Sequence, residues 1–195
     1  MNDDQVTDLR ALLARFASTS DSTDAARHAE NSLDLLTGET NPWSSATLPG
    51  HLTASAWVLD RTCTHAALIH HRKLNRWLQP GGHIEDVDAT WRTAAQREVT
   101  EETGLDDFIA QAGDDELLDV DVHPFPARKD GPAHFHYDLR FLFVADVDAV
   151  GRMLIINAHE AHNCRWFALA DLANDSTMEP SMRRMIELSL RRFPD

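Results

Sequence analysis

Apolar positions near the start of the chain recur at a helical spacing. Leu9, Leu12, Leu13 and Phe16 predict a helix over residues 4–16, and Ala25, Ala29, Leu33 and Leu36 predict a second over about 24–36. Gly38 and Pro42 close this helical lead. The pattern then shortens to strands. Residues 52–59 and 65–71 are rich in Thr, Ala, Trp, Val, Leu and Ile, and the unbroken apolar run 66–69 suits a strand covered on both faces. Residues 116–125 and 134–147 predict two longer strands around the loop 126–132. In the second of them His134, His136, Asp138 and Arg140 alternate with Phe135, Tyr137, Leu139 and Phe141, so one face is chemical and the other is core. A hairpin closed across that loop sets His123 opposite His134 and Asp121 opposite His136. Residues 180–193 form a closing amphipathic helix with Met182, Met185, Ile186 and Leu190 inward.

Between the two strand pairs lies a segment of a different kind. Gly81 and Gly82 follow Pro80, residues 84–103 contain neither proline nor glycine, and Gly104 suits a helix C-terminal cap. The spacing predicts a loop and then a helix over about 89–103. On a wheel of 100° per residue Glu101 and Glu102 fall at about −60° and about +40° from Glu98, so three carboxylates share one face. Trp91, Ala94, Ala95 and Leu105 point the same way, which turns the acids toward the interior. Carboxylates crowded at that spacing repel one another and take up protons unless a cation is present. Oxygen-only ligands favour a hard divalent ion such as Mg2+ or Mn2+. The competing reading is a solvated acidic face with an Arg97 to Glu101 pair.

The order of Gly81, Gly82, Glu85, Arg97, Glu98, Val99, Glu101, Glu102, Gly104 and Leu105 resembles the Nudix box, the signature of hydrolases acting on nucleoside diphosphates linked to another group. Two departures stand out. Asp88 occupies the place of the usual glutamate, and the eight residues between it and Arg97 are one more than the usual pattern has. The resemblance extends over about 52–172 and implies an α/β fold, a Nudix-type α/β/α sandwich with a mixed sheet, over residues 46–195, preceded by an N-terminal helical extension over 1–45. It also implies attack by water on a phosphorus of a pyrophosphate bridge. Glu98, Glu101 and Glu102, with the carbonyl of Gly81, are then the ligands of Mg2+ or Mn2+, and Arg97 holds one glutamate in place. Glu102, Glu160 and His159 are each candidates for the general base.

Composition narrows the partners. The formal charge of −14 argues against binding nucleic acid polymers or anionic membranes. Cys63 and Cys164 make no disulfide framework, and no signal peptide or membrane span is legible, so a cytoplasmic protein with free thiols is expected. The expected partner is a small-molecule diphosphate, and a homodimer is the default assembly. His70, His71, Arg72, Lys73 and Arg76 precede the box, and Arg72 and Arg76 are candidates for contact with phosphate. His123, His134, His136 and Arg140 are candidates for lining the substrate pocket, and the His-x-His spacing also admits a Zn2+ or Fe2+ site. Two other readings remain open here: a Nudix-like module that binds a nucleotide or metabolite without cleaving it, and an enzyme like isopentenyl-diphosphate isomerase.

Overall fold

The computed structural model describes residues 3–38, 41–111, 113, 116–127, 131–150, 153–156 and 161–194. Two helices, α1 (Asp3–Thr19) and α2 (Thr23–Gly38), lead into the strands β1 (Gly50–Leu59), β2 (His65–His71), β3 (Arg76–Leu78) and β4 (Gly81–His83). Then follow α3 (Trp91–Thr103), β5 (Leu117–Phe125), β6 (His134–Val144), β7 (Ala161–Ala168), α4 (Leu169–Asn174) and α5 (Pro180–Arg192). The strands form one mixed sheet in the order β3-β2-β1-β6-β5, with β4 added to β1 and β7 to β2. β1 and β6 run parallel, and the other pairs are antiparallel.

β1 is the centre, and all ten of its residues are buried. Its even positions Leu52, Ala54, Ala56 and Val58 join a core with Leu139, Phe141 and Phe143 of β6 and Trp91, Ala94, Ala95 and Val99 of α3. Leu9, Leu13, Ala29, Leu35 and Leu36 belong to the same core, so the helical lead is packed onto the sheet rather than set apart from it. On the opposite face Trp57 and Leu59 pack with Leu142 and Leu68 beneath α4 and α5. This makes an α/β/α sandwich, as the resemblance to the Nudix box implies. The second face is apolar only along half its length. At its other end the inward residues are His51, Thr53, Ser55, His136, Asp138 and Arg140, and there the layer opens into a cleft.

The β5–β6 hairpin differs from the expected register. His123 stands opposite His136 and Asp121 opposite Asp138, with Phe125 opposite His134. The shift is two residues, and because side chains alternate with period two it leaves residues 119–125 on their expected faces, while a bulge between Leu117 and Asp119 breaks the alternation there. α5 departs at one position. Leu190 is exposed, and Ser189 turns inward instead, accepting a hydrogen bond from Trp57 Nε1 at 2.7 Å. No helix among the described residues is long and apolar enough to cross a membrane.

Candidate functional site

α3 begins with a capping box in which Thr90 Oγ1 accepts from Thr93 N and Thr93 Oγ1 accepts from Thr90 N. It ends on Gly104, whose φ of 71° is the left-handed conformation that glycine adopts at least cost. The helix buries Glu98 and Glu102 together with its apolar face and leaves the Glu101 side chain half exposed. The preceding glycines make this approach feasible. A Cβ on Gly82 would come to 2.7 Å from Glu98 Oε1, and one on Gly81 to 2.3 Å from Ser55 Cβ. With neither present, the backbone N–H of Gly81 donates to Glu102 Oε2 at 2.9 Å.

Arg97 organises the acids. Its Nε and one terminal nitrogen donate to the two oxygens of Asp88 at 3.1 and 3.0 Å, a bidentate pair. Its other terminal nitrogen donates to Glu98 at 3.0 Å and Glu101 at 3.3 Å, and the His83 carbonyl accepts at 2.8 Å. Asp88 also accepts from the N–H of Glu85 at 2.8 Å, which closes the loop on itself. The extra residue before the helix therefore leaves Asp88 able to anchor Arg97, a role that its unusual spacing and identity hid in the sequence. Three carboxylates, Asp88, Glu98 and Glu101, pair with one guanidinium, and Glu102 adds a fourth on the same helix. An all-oxygen donor set with surplus negative charge at the wall of a cleft fits a hard divalent cation.

The cleft has a volume of about 620 Å³ and is bounded by Gly81, Gly82, the α3 acids, Lys73, Arg76 and the polar residues of β5 and β6. Of the proposed phosphate contacts, Arg76 lines it and is ion-paired with Glu179, whereas Arg72 is exposed on the β2–β3 turn and lies off the lining. His123 and His136 line it as well, and His134 stands behind them. Glu160 and His159 lie outside the described residues.

Arg140 lines the cleft too, and its hydrogen bonds run to carboxylates of the sheet. It is 3% exposed and gives hydrogen bonds to Asp138 at 2.9 Å, Asp119 at 3.1 Å and Asp121 at 3.3 Å. Arg184 of α5 reaches the same two β5 aspartates at 3.0 Å, and Thr53 and Ser55 donate to Asp138 at 3.1 and 2.8 Å. Its donors are committed to holding β5, β6 and α5 together. Burial works to raise the pKa of Asp121, but His123 and the two arginines outweigh it and hold the carboxyl well below the usual range.

Beside the Arg97 cluster the strands assemble histidines. His51 on β1 is the register partner of His136 on β6, which is in turn the partner of His123 on β5. His83 on β4 pairs with Thr53, one step along β1 on the same face. The His51 ring centroid lies 5.1, 5.0 and 5.0 Å from those of His83, His134 and His136. Burial, then the neighbouring imidazoles, push His51 down to about 4 and His136 to about 2, so both are neutral at neutral pH. The Thr47 carbonyl opposes the His51 shift from outside hydrogen-bonding geometry, and neither ring nitrogen of His51 has a hydrogen-bond partner. Sequence reasoning missed His51 and His83, because only the pairing of β1 with β4 and β6 brings them here.

A mixed sheet between helical layers, with a glycine loop and an acidic helix at its edge, defines a Nudix-type α/β/α sandwich. The model of the NUDIX domain matches residues 49–188, and the chain belongs to this family. Among solved structures it is similar to the NUDIX domain of Shewanella oneidensis NrtR complexed with ADP ribose, with a TM-score of 0.53 and 17% identity over 82% of this chain and 96% of that one. It is also similar to the MutT protein from Methanosarcina mazei Go1, with a TM-score of 0.50 and 16% identity over 74% and 95% of the two chains. A NUDIX-family hydrolase from Clostridium perfringens gives 0.47 and 21% over 73% and 95%. At these identities the likeness concerns the fold. No curated protein matches the chain.

Proposed function

We propose that the protein is a divalent-metal-dependent hydrolase that cleaves a diphosphate linkage in a nucleotide or a related phosphorylated small molecule. The observation that carries this reading is the set of Glu98 and Glu101, held by Arg97, and Glu102, held by the Gly81 N–H, at the wall of an open cleft. Membership of the NUDIX family supports it. Residues 46–195 are the proposed catalytic domain, with the helices of 1–45 as an extension fused to its core.

Glu98, Glu101 and Glu102, with the Gly81 carbonyl, are the proposed ligands of Mg2+ or Mn2+. A divalent ion supplies charge neutralisation at the diphosphate and a lowered pKa for the attacking water. The chain supplies position. Asp88 fixes Arg97 through two hydrogen bonds, Arg97 fixes Glu98 and Glu101, and the Gly81 N–H fixes one oxygen of Glu102. Glu102 is also the proposed base, since it is the base candidate that lies in the described cluster. It takes the proton of the water as the new P–O bond forms and the bridging P–O bond breaks toward the leaving phosphate. Arg76, His123 and His136 are the proposed contacts to substrate phosphate or sugar.

The test is turnover of nucleoside triphosphates, dinucleotides, nucleotide sugars and ADP-ribose with Mg2+ or Mn2+, comparing wild type with Glu101→Gln and Glu102→Gln. Metal-dependent phosphate or nucleotide release that both variants abolish is the expected result. Stable binding of a panel member without turnover would replace hydrolysis with recognition as the function.

A further inference from the structure

We infer that His51, His83 and His136 form a second metal site, selective for a borderline divalent ion of the Zn2+ class and distinct from the carboxylate site on α3. Each offers one ligand atom, and these atoms all lie within 4.8 Å of one another. The inference does not depend on the proposed hydrolysis.

The first support is His51 itself. Its side chain is completely buried, and among the described residues neither ring nitrogen has a partner within hydrogen-bonding geometry, the Thr47 carbonyl included. A buried polar group left unsatisfied costs about 1–3 kcal/mol, so an imidazole kept there is a ligand or a liability. Three imidazoles, those of His83, His134 and His136, surround it. Neutral imidazole is a poor ligand for Mg2+ and a good one for Zn2+, so the donor chemistry separates the two sites.

The second support is the hydrogen-bond chain behind His136. The Pro132 carbonyl lies 2.9 Å from His134 Nδ1, so that nitrogen is the donor and His134 Nε2 carries the lone pair. His134 Nε2 is 3.1 Å from His136 Nε2, which must then donate. The lone pair of His136 is left on Nδ1. A histidine whose other ring nitrogen donates to a fixed acceptor has its tautomer and ring orientation set for a metal. His83 is fixed differently. It sits on the β4 ladder, and its carbonyl accepts from Arg97 at 2.8 Å, so the two sites share a backbone segment.

Zn–N bonds of about 2.0–2.1 Å in a tetrahedron place ligand nitrogens about 3.4 Å apart, so occupancy draws the rings inward by up to about 1.4 Å. Three protein nitrogens leave a fourth position on the side of the cleft, which His83 and His136 line.

The experiment is a calorimetric titration of chelator-stripped protein with Zn2+ in excess Mg2+, with bound metal counted by elemental analysis. The same titration is run on His136→Gln, on His83→Gln, whose exposed side chain keeps the fold out of question, and on Glu98→Gln. Wild type and Glu98→Gln are expected to bind one Zn2+ per chain, with affinity falling at least about tenfold in each histidine variant. Equal affinity in wild type and both histidine variants would overturn the site. So would loss of Zn2+ binding in Glu98→Gln with the histidine variants unaffected, because the ion would then be sitting on the carboxylates.

Discussion

Two arginines in this molecule are ringed by carboxylates, and they do opposite things. Arg97 stands at the wall of the cleft and pairs with Asp88, Glu98 and Glu101, three acids to one guanidinium, with Glu102 on the next position of the helix held by the Gly81 N–H. Arg140 is buried at the floor of the same cleft, where β5, β6 and α5 meet, among Asp119, Asp121 and Asp138, with Arg184 added from α5. In the second cluster three acids meet two arginines and most of the charge is cancelled within the protein. In the first, negative charge is left over where solvent and ligands arrive. Balance therefore marks the Arg140 cluster as a link between elements, whereas the acids around Arg97, with Glu101 half exposed, keep the surplus charge on which the proposed cation site rests.

Arg140→Ala tests the architectural half of this contrast, and the largest effect is expected there. Removing the guanidinium leaves three buried carboxylates with Arg184 as their one remaining arginine, and breaking a buried ion pair from one side costs about 3–5 kcal/mol. Urea denaturation should show that loss with and without Mg2+. A loss below about 1 kcal/mol would mean that the cluster is hydrated and the contrast is mistaken. Glu98→Gln should do the reverse. It keeps the shape against Gly82 but removes a ligand charge, so activity should fall by about 100-fold or more while the unfolding midpoint without metal is unchanged or rises, since one repelling carboxylate is gone. Steady-state kinetics beside thermal melts separate the two results.

What the sequence discloses follows the same division between local and long-range causes. The helix of the box and its acid face are legible because period, glycine brackets and C-cap all lie within 25 residues. The facing of β5 and β6 is also legible, and survives a wrong register because a two-residue slip keeps parity. The strands β3 and β4 are not legible, being three residues each and rich in charge or glycine. The face of Arg140 is legible from alternation, but its aspartate partners are shared with Arg184, 44 positions later on α5, and that link is not. His51 and His83 carry no signal of their own until β1 pairs with both β4 and β6.

Asp88→Asn sharpens the contrast within the first cluster. The side chain keeps its size and one acceptor oxygen but loses the charge that pairs bidentately with Arg97. Residues that orient a ligand set are worth about 10–100-fold, and the lower end is expected here because the His83 carbonyl also holds Arg97. The loss should appear as a higher Mg2+ concentration for half-maximal rate. A fall in kcat at saturating Mg2+ with no change in that concentration would show that Asp88 acts elsewhere.

The smallest effect is a pH dependence in the Arg140 cluster. Asp121 has a folded pKa below that of the unfolded chain, so between the two values the unfolded state binds more protons and stability rises with pH. Its contribution is full above the unfolded carboxylate range and is lost as pH falls below about 4, with a slope of at most about 1.4 kcal/mol per pH unit. His28 of α2, His123, Arg140 and Arg184 are the groups that face it, and they tie that titration to the helical lead and α5 as well as to the hairpin. Asp121→Asn should flatten the acid limb of the stability curve by up to that slope, read from urea midpoints between about pH 2 and 6. An acid limb as steep as that of wild type would show that the groups facing Asp121 do not favour its ionised form.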